Sequence, residues 1–113
     1  MITLPLPPSA NRYWRAIGRG RVLVSEEGRA FKKMASLAYI AQRRQYHDGD
    51  VKVKGYVYFE NRRRDLDNVL KPLLDALADG VAYRNDRQVR HIDIVARIDR
   101  DNPRVEIEIT PLN

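Results

Sequence analysis

The sequence predicts an α+β fold: a single domain spanning residues 1–113, with two helices packed on one face of a mixed β-sheet. Three observations predict it. Residues 51–60 alternate as a strand does, with Val51, Val53, Val57 and Phe59 on one side and Lys52, Lys54, Tyr56, Tyr58 and Glu60 on the other. Two stretches instead repeat their apolar residues at helical spacing: Phe31, Met34, Leu37, Ala38 and Ala41, then Val69, Leu70, Leu73, Leu74 and Leu77. Two further alternating runs close the chain. Strand, helix, strand, helix, strand, strand is an order that buries one sheet face under helices.

In chain order, residues 2–4 form a short apolar start that runs into Pro5, Pro7 and Pro8. The prolines confine a strand here to a sheet end or edge. Residues 9–21 read as a loop, with Asn11, Gly18 and Gly20 among Arg12, Arg15, Arg19 and Arg21; Tyr13 and Trp14 sit between two of these arginines. Residues 22–24 read as a brief strand. Ser25 is a good N-cap, and Glu26 and Glu27 complement the helix dipole in the first turn. That helix is expected to run to about Arg44 and to close on the turn residues His47-Asp48-Gly49-Asp50.

Gly55 interrupts the apolar face of the central strand and is expected to mark a bulge. In the second helix the apolar residues fall within an arc of roughly 140°, and Asp67, Lys71 and Asp75 recur every fourth residue on the opposite side. Pro72 lacks a donor, so the helix either begins near Asn68 or has an irregular first turn. After Asp79-Gly80, residues 81–88 read as a polar loop. The last two strands place Ile92, Ile94, Ala96 and Ile98, then Val105, Ile107 and Ile109, inward; they are expected to pair as a hairpin across the turn at 99–103.

The composition narrows the function. Hydrophobic residues make up 43% and charged residues of both signs 32%, which suits a packed domain and argues against disorder. Lys and Arg number 21 against 15 Asp and Glu, a net charge of +6. Such a balance fits a polyanionic partner, nucleic acid first among them, or a basic protein with no such partner. There is no cysteine, which excludes disulfides, thiolate metal sites and a cysteine nucleophile. No apolar run approaches the roughly 20 residues of a membrane helix, and the N-terminus has neither the basic nor the apolar region of a signal peptide. A cytoplasmic protein with no membrane partner is expected.

The chemistry concentrates where the central strand gives way to the second helix, in Asn61-Arg62-Arg63-Arg64-Asp65-Leu66-Asp67-Asn68. In extended chain, residues two apart point to one side, so Asp65 and Asp67 can approach one hard cation. Mg²⁺ takes oxygen ligands, commonly only one or two of them protein carboxylates. The same Asp-Leu-Asp-Asn ahead of an apolar periodic stretch also reads as helix capping. Three features favour a site. An arginine run precedes the pair, Lys71 and Asp75 share a helix face with Asp67, and Asp86 stands in a loop between helix and strand. Carboxylates in a basic surround suit metal-assisted phosphodiester hydrolysis. Ser25 has no His–Asp partners, and His47 and His91 are isolated, so none of these enters the chemistry.

RRRDLDNVLKPLLDAL followed by NDRQV, together with the opening LPLPPSANRYWR and the stretch VLVSEEG, resembles the RusA family of phage-type Holliday junction resolvases. The likeness runs from about Leu4 to Val89. It implies a homodimeric, Mg²⁺-dependent endonuclease, with Mn²⁺ as an alternative ion, that binds four-way junction DNA of bacterial or prophage recombination and repair. By the same resemblance Asp65 and Asp67 are paired metal ligands and Asp86 a third. Lys71 is the active-site lysine, Arg64 the arginine before the first aspartate, and Asn68 and Asp75 recurrent positions of the motif. Some relatives carry two adjacent acids where this chain has Asn85-Asp86, which leaves Asp86 as the one carboxylate there.

A symmetric dimer suits a substrate with two-fold symmetry that needs two cuts. Arg12, Arg15, Arg19, Arg21, Lys52, Lys54, Arg62 and Arg63 are candidate phosphate contacts, whose binding falls with salt. Tyr13 and Trp14 either stack on exposed bases or pack as core. Two rivals differ in class: a non-catalytic module for branched DNA, and a nuclease with broader specificity for flaps and other branches.

Overall fold

The structure is a computed structural model that describes residues 1–43 and 45–112. In chain order its elements are β1 (Ile2–Leu4), α1 (Ala10–Tyr13), β2 (Trp14–Gly18), β3 (Arg21–Val24), α2 (Glu26–Gln42), β4 (Val51–Phe59), α3 (Asp67–Ala76), β5 (Val89–Ile98) and β6 (Arg104–Pro111), with a 3-10 turn at Asp86–Gln88. The architecture is α+β, with a four-stranded mixed sheet in the order β1-β6-β4-β5 and a separate β2–β3 ribbon. Among the described residues no helix is long and apolar enough to cross a membrane.

β4 is the centre of the sheet because its alternating residues satisfy two neighbours at once. Val51, Val53, Val57 and Phe59 are buried on one face, and Lys52, Lys54, Tyr56 and Tyr58 lie on the other. β6 pairs with β4 antiparallel and β5 pairs with it parallel. A parallel neighbour needs a crossover, which α3 supplies. Tyr39 of α2 and Val69, Leu73, Leu74 and Leu77 of the α3 segment pack with the β4 and β6 residues into one core. A smaller cluster of Tyr13, Phe31, Ala35 and Ala76 joins α1, α2 and α3.

The C-terminal hairpin expected from sequence does not form. β5 and β6 lie on opposite sides of β4, and the link between them arches over its end, where the Asp99 N–H donates to the Phe59 carbonyl at 2.8 Å. Two strands joined by a turn look alike in sequence whether or not a third lies between them. β5 is therefore an edge strand, and its apolar face is not inward throughout: Ile92 is 44% and Ile98 52% exposed.

Three smaller expectations also change. Residues 9–21 are not a loop but α1 and most of the β2–β3 ribbon. The buried line of α2 is Gly28, Phe31, Ala35 and Tyr39, while Met34 and Leu37 face outward. Gly28 fixes this rotation, since a Cβ there would meet the Tyr13 carbonyl oxygen at 2.4 Å. Gly55 marks no bulge in either ladder. Its φ is +155° and a Cβ would lie 2.0 Å from the Glu106 carbonyl oxygen, so it is glycine because β6 passes too close for any side chain. The helix end expected near Arg44 falls outside the described residues.

α3 keeps its predicted faces. It starts at Asp67 and carries the buried Pro72 inside it. The proline's missing N–H leaves the carbonyl of Asn68, in the exposed first turn, to solvent.

Candidate active site

Asp67 opens α3, Lys71 follows one turn later on the same exposed face, and Asp86 opens the 3-10 turn that leads into β5. The Lys71 Nζ stands 3.4 Å from Asp86 Oδ2, and 5.8 Å from the centre of the Trp14 ring. Asp67, Lys71 and Asp86 line one open cleft of about 330 Å³, floored by Leu70, Leu74 and Ile92. Asp65 lines a second cleft of about 320 Å³ with Arg62, Arg64 and Arg97.

The turn that carries Asp86 is held from both sides. The Asn85 side chain accepts from the Arg87 N–H at 2.8 Å. Gln88 Oε1 accepts from the Arg84 and Asn85 N–H groups at 2.9 and 3.1 Å, which completes a capping box. The Gln88 amide also donates to the carbonyls of His47 and Gly49 at 2.9 and 2.8 Å. Gln88 and Asn85 thus position Asp86 without facing the cleft chemistry themselves. Neither was picked out from sequence, although Asn-x-x-Gln ahead of a strand is a capping-box spacing and was there to be found.

The aromatic pair divides. Tyr13 is fully buried, and its hydroxyl donates to Asp75 Oδ2 at 2.6 Å. Burial first, then the Asp75 carboxylate, pushes the phenol far above its ordinary range. Asp75, one turn past Lys71, is therefore engaged by the core through Tyr13. Trp14 stands edge-on to Tyr13, half-buried, and forms a wall beside Lys71.

The candidate cations do not form one surface. Arg64 turns inward: its guanidinium donates to the Pro7 carbonyl at 2.7 Å and lies 5.8 Å from the Phe59 ring centre. Burial, then the neighbouring Arg12, lowers its pKa from the ordinary arginine value. Arg12 pairs with Glu27 at 3.1 Å. Arg15, Arg19 and Arg21 are exposed on the β2–β3 ribbon, and Arg62, Arg63 and Asn68 are exposed around the head of α3. Lys52 and Lys54 sit on the sheet face opposite the helices, apart from the cleft.

All the carboxylates at this site are oxygen donors, and two of them line the same open cleft beside a lysine. That set fits Mg²⁺ or Mn²⁺, which bind one or two protein carboxylates and retain waters, better than a metal demanding nitrogen or sulfur. Among the described residues no three acidic or histidine side chains close into a cage, so Asp65 is not brought onto Asp67 and Asp86.

Residues 5–110 match the family model described as Endodeoxyribonuclease RusA. The chain belongs to the RusA family. It is 37% identical to the crossover junction endodeoxyribonuclease RusA of Escherichia coli strain K12, over 98% of this chain and 93% of that protein. It is 36% identical to those of Enterobacteria phage 82 and of Shigella sonnei strain Ss046, over the same shares. The match thus takes in the N-terminal prolines, the β2–β3 ribbon and β6 as well as the acidic segment. As a RusA family member the chain is an endonuclease, and the cleft at the head of α3 brings Asp67, Lys71 and Asp86 together.

Proposed function

We propose that this RusA family protein is a homodimeric, Mg²⁺-dependent endonuclease that resolves Holliday junctions by paired nicks in DNA recombination and repair, acting in the cytoplasm. The observation that carries the reading is the shared cleft of Asp67, Lys71 and Asp86 at the head of α3. Asp67 and Asp86 would hold the ion, with Asp65 joining from the preceding loop. When bound, Mg²⁺ supplies Lewis-acid polarisation of the scissile phosphate and a more acidic water.

The chain's own groups do the rest. Lys71 is held by Asp86 and Trp14 with its ammonium at the cleft mouth, where it neutralises charge that builds on the phosphate in the transition state. Arg62 and Arg63, exposed on the loop before Asp65, take the flanking phosphates. The apolar floor of Leu70, Leu74 and Ile92 limits water behind the carboxylates.

The test is a synthetic four-way junction with Mg²⁺ at fixed salt. The Asp67→Asn variant is expected to lose cleavage while binding the junction at close to wild-type affinity. Equal loss of binding and fold in that variant would reduce Asp67 to a helix-start residue, and cleavage of flaps as fast as junctions would broaden the substrate.

A further inference from the structure

Three of the six tyrosines are fully buried. A buried phenol needs an acceptor, and two of them use backbone: Tyr39 donates to the Gln45 carbonyl and Tyr83 to the Leu74 carbonyl. Tyr13 alone ends on a carboxylate, Asp75 Oδ2, at 2.6 Å. Asp75 follows Lys71 by four residues on α3, the spacing at which a lysine and an acid on one helix face pair. The two form no ion pair. The Lys71 ammonium goes instead to Asp86, at 3.4 Å, and to the Trp14 ring, 5.8 Å from its centre. Asp79, four residues further on, is also taken, with Lys32 Nζ 2.5 Å from its Oδ2. Both acids that follow Lys71 along the α3 segment are thus held by side chains of α1 and α2.

We propose that Tyr13 is a positioning residue for strand cleavage: by occupying the Asp75 carboxylate it denies Lys71 that partner and leaves the ammonium at the cleft with Asp86. This rests on the role given to Lys71 above and adds the residue that keeps it there. A carboxylate that already accepts a short hydrogen bond from a fixed donor gains less from a lysine that must first leave its own partner. The donor is fixed because the Tyr13 ring is packed with Phe31, Ala35 and Ala76. It is also neutral, so it brings no second cation beside Lys71. Burial and the Asp75 charge push its pKa far above the ordinary value, which keeps the donated proton in place. The same ring meets Trp14 edge-on at 4.5 Å and so backs the wall on which the ammonium rests.

The test uses the full chain in two assays: junction cleavage with Mg²⁺, and Trp14 fluorescence without metal or DNA. Trp14 is the one tryptophan, so its emission reports the ammonium beside it. All variants are read below the lowest melting midpoint of the set, so that lost fold is not counted as lost position. Tyr13→Phe keeps the ring and strands the Asp75 carboxylate. Its kcat should fall roughly tenfold, short of the loss of about 10²-fold or more for Lys71→Gln, with KM for the junction unchanged and the Trp14 emission shifted. Adding Asp75→Asn to Tyr13→Phe removes the charge that draws Lys71 away, and should restore most of the cleavage and the wild-type emission. In a Lys71→Gln background, Tyr13→Phe should no longer shift the emission. A Tyr13→Phe variant with wild-type kcat, a double variant as slow as Tyr13→Phe, or an emission shift that persists without Lys71 overturns the positioning role and leaves that of Lys71 standing. Wild-type cleavage by Lys71→Gln overturns the role of Lys71 itself, and the proposal with it.

Discussion

The loops that carry Asp86 and Asp65 are built in opposite ways. Asp86 sits in a turn whose backbone groups are bonded by Asn85 and Gln88, and Gln88 ties that turn to the segment at 47–49 across 41 and 39 residues of sequence. Among the described residues, Asp65 sits in a loop with one internal side-chain bond, from the Arg63 N–H to Asn61 Oδ1, and one external brace, Arg64 to Pro7. Under the function proposed above, the difference would separate a carboxylate fixed before an ion arrives from one that is placed only when its ligand is bound. A ligand held rigidly by its neighbours lowers the ordering cost of binding.

The largest effect expected is at Asp86 itself. Asp86→Asn should cut Mg²⁺-dependent cleavage by at least about 10²-fold, the scale for losing one preorganised electrostatic group, with junction affinity in a gel-shift assay little changed. Gln88→Ala should cost roughly 10–100-fold in activity, the scale for partners that orient a metal ligand, and about 1–3 kcal/mol of stability from the bonds it strands. Raising Mn²⁺ should recover much of the activity of Gln88→Ala and little of that of Asp86→Asn. If both respond alike, the turn is not preorganising the carboxylate and the contrast between the two loops falls.

How much of this was legible follows from what sequence encodes locally. The faces of β4 and α3, the Ser25 cap, which accepts from the Gly28 N–H at 2.9 Å, and the grouping of Asp67 with Lys71 all depend on spacing, and spacing is visible. The partner of β5 was not legible, because alternation tells which residues share a face and says nothing of which strand lies beside them. The brace on Arg64 was hidden for a similar reason: a third arginine in a run looks like its neighbours until the Pro7 carbonyl is seen to meet it. Gly55 was recognised as special, but the cause is Glu106, 51 positions away in the chain (106 − 55). What spacing hid was in each case a contact across the sheet or between distant loops.

Arg64 offers a finer cut at the same contrast. Arg64→Lys should lose the bond to Pro7 and with it about 0.5–1.5 kcal/mol of stability, loosening the Asp65 loop. The slope of junction affinity against salt should stay as in wild type, since a residue turned inward neutralises no phosphate. Arg62→Ala, exposed on the same loop, should lower that slope by about one. Equal slopes for both variants would remove Arg62 as a phosphate contact, and a reduced slope for Arg64→Lys would turn Arg64 outward to the DNA.

The smallest effect should be an asymmetric response to acid. His47 is buried, at 6% exposure, its Nε2 has no partner among the described residues, and its backbone N–H donates to the Ala82 carbonyl beside the Tyr83 bridge. Burial lowers its pKa below the ordinary 6.5. The unfolded chain therefore takes up a proton before the folded one does, and stability present above about pH 6.5 declines as pH falls through and below that value. Gln88 bonds the His47 carbonyl, so the loosening reaches the Asp86 turn and not the Asp65 loop. Hydrogen exchange at pH 7.5 and 5.5 should show protection lost around 82–88 before 61–66, with His47→Phe removing the difference. Simultaneous loss in both loops would mean that the two are held by the same contacts, and that Asp86 is no better anchored than Asp65.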